Sequence, residues 1–81
     1  MYVLRCADGS LYTGYTIDVE RRLAQHQAGT ASRYTRARRP VAMVGWWQFD
    51  GRSEALQAEA AFKRLSRTEK LRLLEAGGGE A

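Results

Sequence analysis

Eighty-one residues, 44% hydrophobic, 10% aromatic and 27% charged, suffice for one domain and are too apolar for a disordered chain. No apolar run approaches the roughly 18 residues of a membrane span. One cysteine excludes an internal disulfide, and one cysteine with one histidine excludes a structural zinc site of about four such ligands.

The net charge of +4 has a definite place: Arg33, Arg36, Arg38 and Arg39 lie close together without an acid and equal the whole excess. Only Lys63 and Lys70 are lysines, and arginine is the cation whose planar fork suits phosphate. A solvated charge run is the bland reading. The concentration of arginine favours a polyanionic partner.

Met1 opens directly into strand-like residues, so no signal peptide is expected. Met1 to Cys6 reads as a strand, and Leu11 to Thr16 as its return. The turn decides which side chains share a face. A two-residue Asp8-Gly9 loop pairs Cys6 with Leu11 and puts Tyr2 and Tyr12 on opposite faces. A three-residue loop, Ala7 to Gly9, pairs Cys6 with Ser10 and Leu4 with Tyr12, and both tyrosines face one side. Glycine at the third loop position selects the second register, with Gly9 left-handed.

Asp18 caps a helix from Val19 to about Ala28 that Gly29 ends. Val19 and Leu23 form its apolar stripe, which Arg22 and His26 complete. Thr30 to Arg39 reads as a basic loop ended by Pro40. Val41 to Phe49 reads as a third strand, central or well covered, with Trp46 and Trp47 on opposite faces. Ser53 is the expected cap of a helix to about Leu65, with Ala55, Ala58, Phe62 and Leu65 as its core stripe. Glu59 lies about 40° from Ala55 around that helix, at the rim of the stripe. Ser66 to Glu69 is a capping box. It opens a short helix docked by Leu71, Leu73 and Leu74 and stopped by Gly77. Residues 1–76 form one domain in this reading, with 77–81 a flexible tail. The order is ββαβαα, an α+β domain with a small antiparallel sheet.

Five side chains stand in odd places. Tyr2 and Tyr12 share a face, Arg22 and His26 point inward, and Glu59 sits at an apolar rim. Each alone has a plain explanation: a packed tyrosine, a paired arginine, a hydrogen-bonded core histidine, a Glu59–Lys63 pair at i,i+4. Cys6 reads as a small core residue.

Together they resemble the GIY-YIG nuclease signature. The resemblance runs through Tyr2-Val3-Leu4, Tyr12-Thr13-Gly14, Asp18 to Leu23 with His26, Arg33-Tyr34-Thr35-Arg36, and Ser53 to Glu59. It covers the chain to about residue 65 and is greatest to the small stand-alone bacterial members. It implies a cytoplasmic endonuclease that cuts a phosphodiester with one divalent metal, Mg²⁺ with Mn²⁺ as the alternative. By position, it makes Tyr2, Tyr12, Arg22 and His26 catalytic and Glu59 the metal carboxylate, and Tyr34 matches a further tyrosine of small members. The expected partner is nucleic acid, DNA before RNA, in repair or recombination. The sequence departs from the pattern at Tyr15, where many catalytic relatives carry lysine, and in having no asparagine.

The residue types suit that chemistry independently. One carboxylate is enough for Mg²⁺, which keeps its waters and leans on substrate phosphate. Arg22 can grip a non-bridging oxygen bidentately. A base is harder to supply, since ionising an ordinary tyrosine at pH 7 costs about 4 kcal/mol. Tyr2 and Tyr12 are both candidates as base or water-positioner, with His26 assisting. Arg33, Tyr34, Arg36, Arg38 and Arg39 are expected to bind the substrate backbone, which positions it without reading sequence. The alternatives are a nucleic-acid-binding module with a weakened active site and a basic structural protein. Burying Arg22 and His26 without polar partners would count against the last.

Overall fold

The computed structural model describes residues 1–76. Seven elements follow in order: β1 (Tyr2–Arg5), β2 (Leu11–Gly14), α1 (Val19–Ala28), α2 (Arg33–Arg36), β3 (Ala42–Trp46), α3 (Arg52–Lys63) and α4 (Arg67–Glu75). The strands form one antiparallel sheet in the order β2-β1-β3. The fold is α+β, as expected. The order becomes ββααβαα, because the segment read as a basic loop contains the single helical turn α2. Ser32 caps that turn by accepting from Thr35 N. A one-turn helix within a charge run has no apolar periodicity to betray it.

The first hairpin has the three-residue loop. Leu4 pairs with Tyr12, Cys6 N donates to Ser10 O at 2.9 Å, and Gly9 has φ 85°. β1 is central, and its Tyr2, Val3 and Leu4 are buried on both faces of the sheet. The expectation of a central β3 is therefore corrected: β3 is an edge strand, covered on its faces by side-chain packing rather than flanked on both sides. Trp46 packs with Tyr2, Leu4, Cys6 and Val41 on one face, with Val19 and Leu23 of α1. Trp47 packs with Met1, Val3 and Phe62 on the other, with Ala58 of α3, Leu74 of α4 and Leu65 from the connection between them. Cys6 is a buried free thiol within the first cluster.

α1 has the predicted bounds, with Asp18 Oδ1 accepting from Arg21 N and Gly29 left-handed at φ 81°. α3 does not start at Ser53. Gly51 is the N-cap without a side-chain bond, because Ala55 N already donates to Gly51 O at 3.2 Å and places Ser53 inside the first turn. α4 opens with the capping box of Ser66 and Glu69. Of its three leucines Leu74 docks into the core, whereas Leu71 and Leu73 remain 39% and 40% exposed. A nine-residue helix lying on one neighbour buries a single stripe, and 71 and 73 are about 200° apart around its axis. The expected stop at Gly77 and the tail over 77–81 lie outside the described residues. Among the described residues, no helix is long and apolar enough to cross a membrane.

Candidate active site

The β1–β2 register builds the first half of the site. Leu4 opposite Tyr12 and Tyr2 opposite Gly14 put both tyrosines on one face, with ring centroids 6.5 Å apart. Gly14 leaves the space that the Tyr2 ring occupies. A Cβ there would meet Tyr2 Oη at 2.5 Å and Cζ at 2.6 Å.

α1 supplies the second half. His26 is fully buried behind the tyrosines. Its Nε2 lies 2.8 Å from Tyr2 Oη and its Nδ1 lies 2.7 Å from Thr35 Oγ1. With the Thr35 hydroxyl proton assigned to Ser32 O, 3.4 Å away, Nδ1 carries the ring proton and Nε2 accepts from the Tyr2 phenol. Burial, and then the charge of Arg22, hold the His26 pKa below its ordinary value, so the imidazole is neutral at pH 7. Burial, with Tyr12 and Glu59 adding to it and Arg22 opposing, pushes Tyr2 up to about 12. Ionising Tyr2 at pH 7 therefore costs about 7 kcal/mol, well above the cost for a free tyrosine.

One cleft of about 550 Å³ collects Tyr2, Tyr12, Arg22, Tyr34 and Glu59 at its walls, from five separate elements. Tyr15, Lys63 and Lys70 line it too. His26 stands behind Tyr2 rather than at the surface of the cleft. Arg22 is half-buried and forms no ion pair among the described residues. Glu59 Oε2 instead accepts from Lys63 Nζ at 2.7 Å, with the Glu59 side chain 16% exposed and that of Lys63 56%. A slightly larger cleft nearby is lined by residues such as Ile17, Trp46 and Phe49 and by none of the predicted site residues.

The donor set limits the metal that could bind. Among the described residues no cluster of three His, Cys, Asp or Glu side chains exists. A lone carboxylate fits a hard, hydrated cation that takes its remaining ligands from water and phosphate, and does not fit a transition-metal cage.

The basic segment is tied to this cleft through Tyr34, whose ring stacks on Tyr12 at 5.8 Å and an interplanar angle of 27°. The Arg38 guanidinium lies 3.8 Å from the Tyr34 ring centroid, and donates to Asp8 Oδ2 at 3.1 Å and to Tyr34 O at 3.0 Å. Arg39 donates to Arg36 O and Gln27 O. Two of the four arginines thus brace the segment. The side chains of Arg33 and Arg36 are exposed and make no hydrogen bond among the described residues.

Sequence reasoning missed the roles of Thr35, Gly14 and Lys70, whereas the Glu59–Lys63 pair at i,i+4 is present as the plain explanation of Glu59 had it. Thr35 and Gly14 stand inside the quoted motifs Arg33-Tyr34-Thr35-Arg36 and Tyr12-Thr13-Gly14, which is the signal that could have found them. Lys70 had no such signal, because only the placement of α4 brings it to the cleft.

Comparison with known proteins agrees with this fold. The family model of the GIY-YIG catalytic domain matches residues 1–72. A UPF0213 protein of Natronomonas pharaonis is 54% identical over 91% of this chain and 87% of its own. A UPF0213 protein of Listeria innocua is 56% identical over 85% and 77%. The solution structure of a UPF0213 protein from Bacillus halodurans superposes with a TM-score of 0.62 at 46% identity, covering 96% of this chain and 83% of that one.

Proposed function

Because this chain belongs to the GIY-YIG catalytic domain family, we propose that it is a metal-dependent endonuclease. It hydrolyses phosphodiester bonds of nucleic acid, DNA before RNA, in the cleft between Tyr2, Tyr12, Arg22 and Glu59. One observation carries this reading: four side chains from four elements converge on a cleft in which the arginine has no ion-pair partner among the described residues. A half-buried arginine without a protein counter-ion is set to bind an anion, and a phosphate is the anion its fork fits.

Glu59 would hold a divalent cation, Mg²⁺ or Mn²⁺, which supplies charge neutralisation at the phosphate when bound. Arg22 grips a non-bridging oxygen and stabilises the charge that grows on it. The attacking water donates to Tyr2 Oη. As the water's oxygen bonds to phosphorus, the bond from phosphorus to the leaving oxygen breaks and that oxygen takes a proton from solvent in the cleft, while the attacking water's proton passes to Tyr2 Oη and the phenolic proton to His26 Nε2, which returns it to solvent after product leaves. Neutral His26 is thus the final acceptor, and no free tyrosinate with its 7 kcal/mol or so of cost is populated. Thr35 keeps Nδ1 protonated and so leaves Nε2 open. Tyr12, beside Tyr2 in the cleft wall, orients the water and phosphate. Arg33 and Arg36 hold flanking phosphates, which gives affinity without sequence reading. Repair or recombination in the cytoplasm is the setting this activity suits.

The second reading, a nucleic-acid-binding module with a weakened active site, is favoured by the Glu59–Lys63 pair. The test is cleavage of labelled single-stranded, duplex, flap and branched DNA and RNA with Mg²⁺ or Mn²⁺, with Glu59→Ala and Arg22→Ala alongside. Cutting that both variants abolish is expected. Binding without cutting, indifferent to Glu59→Ala, selects the module.

A further inference from the structure

The cleft contains one feature that the catalytic roles above leave unused. The chain has only two lysines among its thirteen cations, and both line this cleft. They reach it from different elements, Lys63 from the end of α3 and Lys70 from α4. With Arg22 they set three cations against the single carboxylate of Glu59. A wall with that balance attracts an anion beyond the one Arg22 can hold.

Lys63 has a specific starting position. Its Nζ donates to Glu59 Oε2 at 2.7 Å, while Glu59 Oε1 has no hydrogen bond among the described residues. The metal carboxylate is therefore engaged by an ammonium on one oxygen and open on the other. The pair is asymmetric in burial, with the acid enclosed and the lysine largely in solvent. The lysine is the partner free to swing. A lysine is also the right cation for that motion, being a point charge on four flexible methylenes with rotatable donors.

We propose that Lys63 is a substrate-phosphate ligand parked on Glu59, and that Lys70 completes the same phosphate subsite. The proposal rests on the nuclease reading above. An incoming strand places a phosphate between the two ammonium groups, Lys63 turns from Glu59 to that phosphate, and both carboxylate oxygens become open to the cation. Substrate and cation binding are then coupled through one side chain, and each favours the other.

The coupling makes opposite predictions for one substitution. In wild-type protein without DNA, Mn²⁺ affinity is read from the free-ion EPR signal. Lys63→Ala removes the competitor of the cation and is expected to tighten Mn²⁺ roughly 2- to 5-fold, the scale of a largely exposed ion pair. Lys63→Arg should leave Mn²⁺ affinity near that of the wild type. In EDTA, binding of fluorescein-labelled dT10 is read by anisotropy across a salt series. Lys63→Ala and Lys70→Ala should each weaken binding and flatten the slope of log K against log salt by about 0.7, the value of one single-strand phosphate contact. Arg72→Ala, an equal loss of charge on the exposed face of α4, should do neither. Unchanged or weakened Mn²⁺ affinity in Lys63→Ala overturns the parking, and an unchanged slope in either lysine variant overturns the subsite. Mn²⁺ uptake that Glu59→Ala abolishes establishes the metal reading separately. With no uptake in the wild type, that reading and the parking both fall, and the dT10 series in EDTA still decides the subsite.

Discussion

The Tyr2 hydroxyl donates to His26 Nε2 at 2.8 Å, and both residues are enclosed, at 2% and 0% exposure. A buried acceptor that loses its donor carries its full desolvation cost. Tyr2→Phe should therefore lower unfolding free energy by about 1–3 kcal/mol in urea titrations. It should also cut turnover by about 10²-fold or more, since the relay has no other entry to His26. Turnover at the wild-type rate in Tyr2→Phe would remove Tyr2 from the proton path.

Thr35 acts from the far side of the same imidazole. Thr35→Val keeps the shape and deletes the acceptor of Nδ1–H. The expected loss is again about 1–3 kcal/mol, with slower cleavage because the tautomer is no longer held. Thr35→Ser restores the oxygen and should recover both. NMR of the imidazole nitrogens checks the cause: Nδ1 is the protonated nitrogen in wild type and in Thr35→Ser.

His26 makes stability depend on pH in a definite direction. Its folded pKa lies below the unfolded value of about 6.5. Between those two values the unfolded chain binds more protons than the folded one, so stability falls as pH falls. The His26 contribution is complete above about pH 6.5 and is lost on acidification through the folded pKa. Denaturant midpoints at pH 7.5 and 5.5 should show this loss, and the difference between wild type and His26→Gln is the His26 part, since the Met1 ammonium, also held below its ordinary value by burial, contributes to both proteins. Asp8 and Glu69 are held below their ordinary carboxylate values by their bonds to Ser10 and Ser66. Their losses belong to a lower, carboxylate range and do not confuse the comparison.

Gly14→Ala should disable the site without replacing a catalytic group. The added methyl would lie 2.5 Å from Tyr2 Oη, which His26 holds in place. Either the hydroxyl leaves His26 or β2 moves. We expect about 1–3 kcal/mol of destabilisation from overpacking and a loss of turnover near that of Tyr2→Phe. Nuclease assays and urea titrations on one preparation test the two effects together.

The four arginines should separate into two pairs. Arg33→Ala and Arg36→Ala should each weaken oligonucleotide binding and reduce the salt slope by about 0.7–0.9, with thermal stability unchanged. Arg38→Ala and Arg39→Ala should destabilise the 30–40 segment, because they lose bonds to Asp8, Tyr34 O, Arg36 O and Gln27 O. Equal behaviour of all four in both assays would show that bracing and binding are not divided in this way.

Local chemistry was legible in the chain. Gly9 and the length of its loop determined the register that puts Tyr2 and Tyr12 on one face. Asp18 and Gly29 determined both ends of α1, and Ser66 with Glu69 determined the start of α4. Each depends on residues within a few positions of one another, where backbone hydrogen bonding and steric limits decide alone. The resemblance to the GIY-YIG signature named the candidate site residues, and their spacing within each element determined only which of them share a face.

Tertiary structure alone decided what those residues touch. The edge position of β3, the burial of His26 behind Tyr2, the Thr35 bond, the bracing of Arg38 and Arg39, and the arrival of Lys70 at the cleft are all contacts between distant elements. Their partners are selected by packing two apolar clusters on the two faces of one small sheet. Side-chain pattern tells that a face is buried, and not against which neighbour. Even the pKa direction of Tyr2 is of this kind. Its dominant cause is exclusion from water, a property that no residue has until the rest of the chain has closed around it.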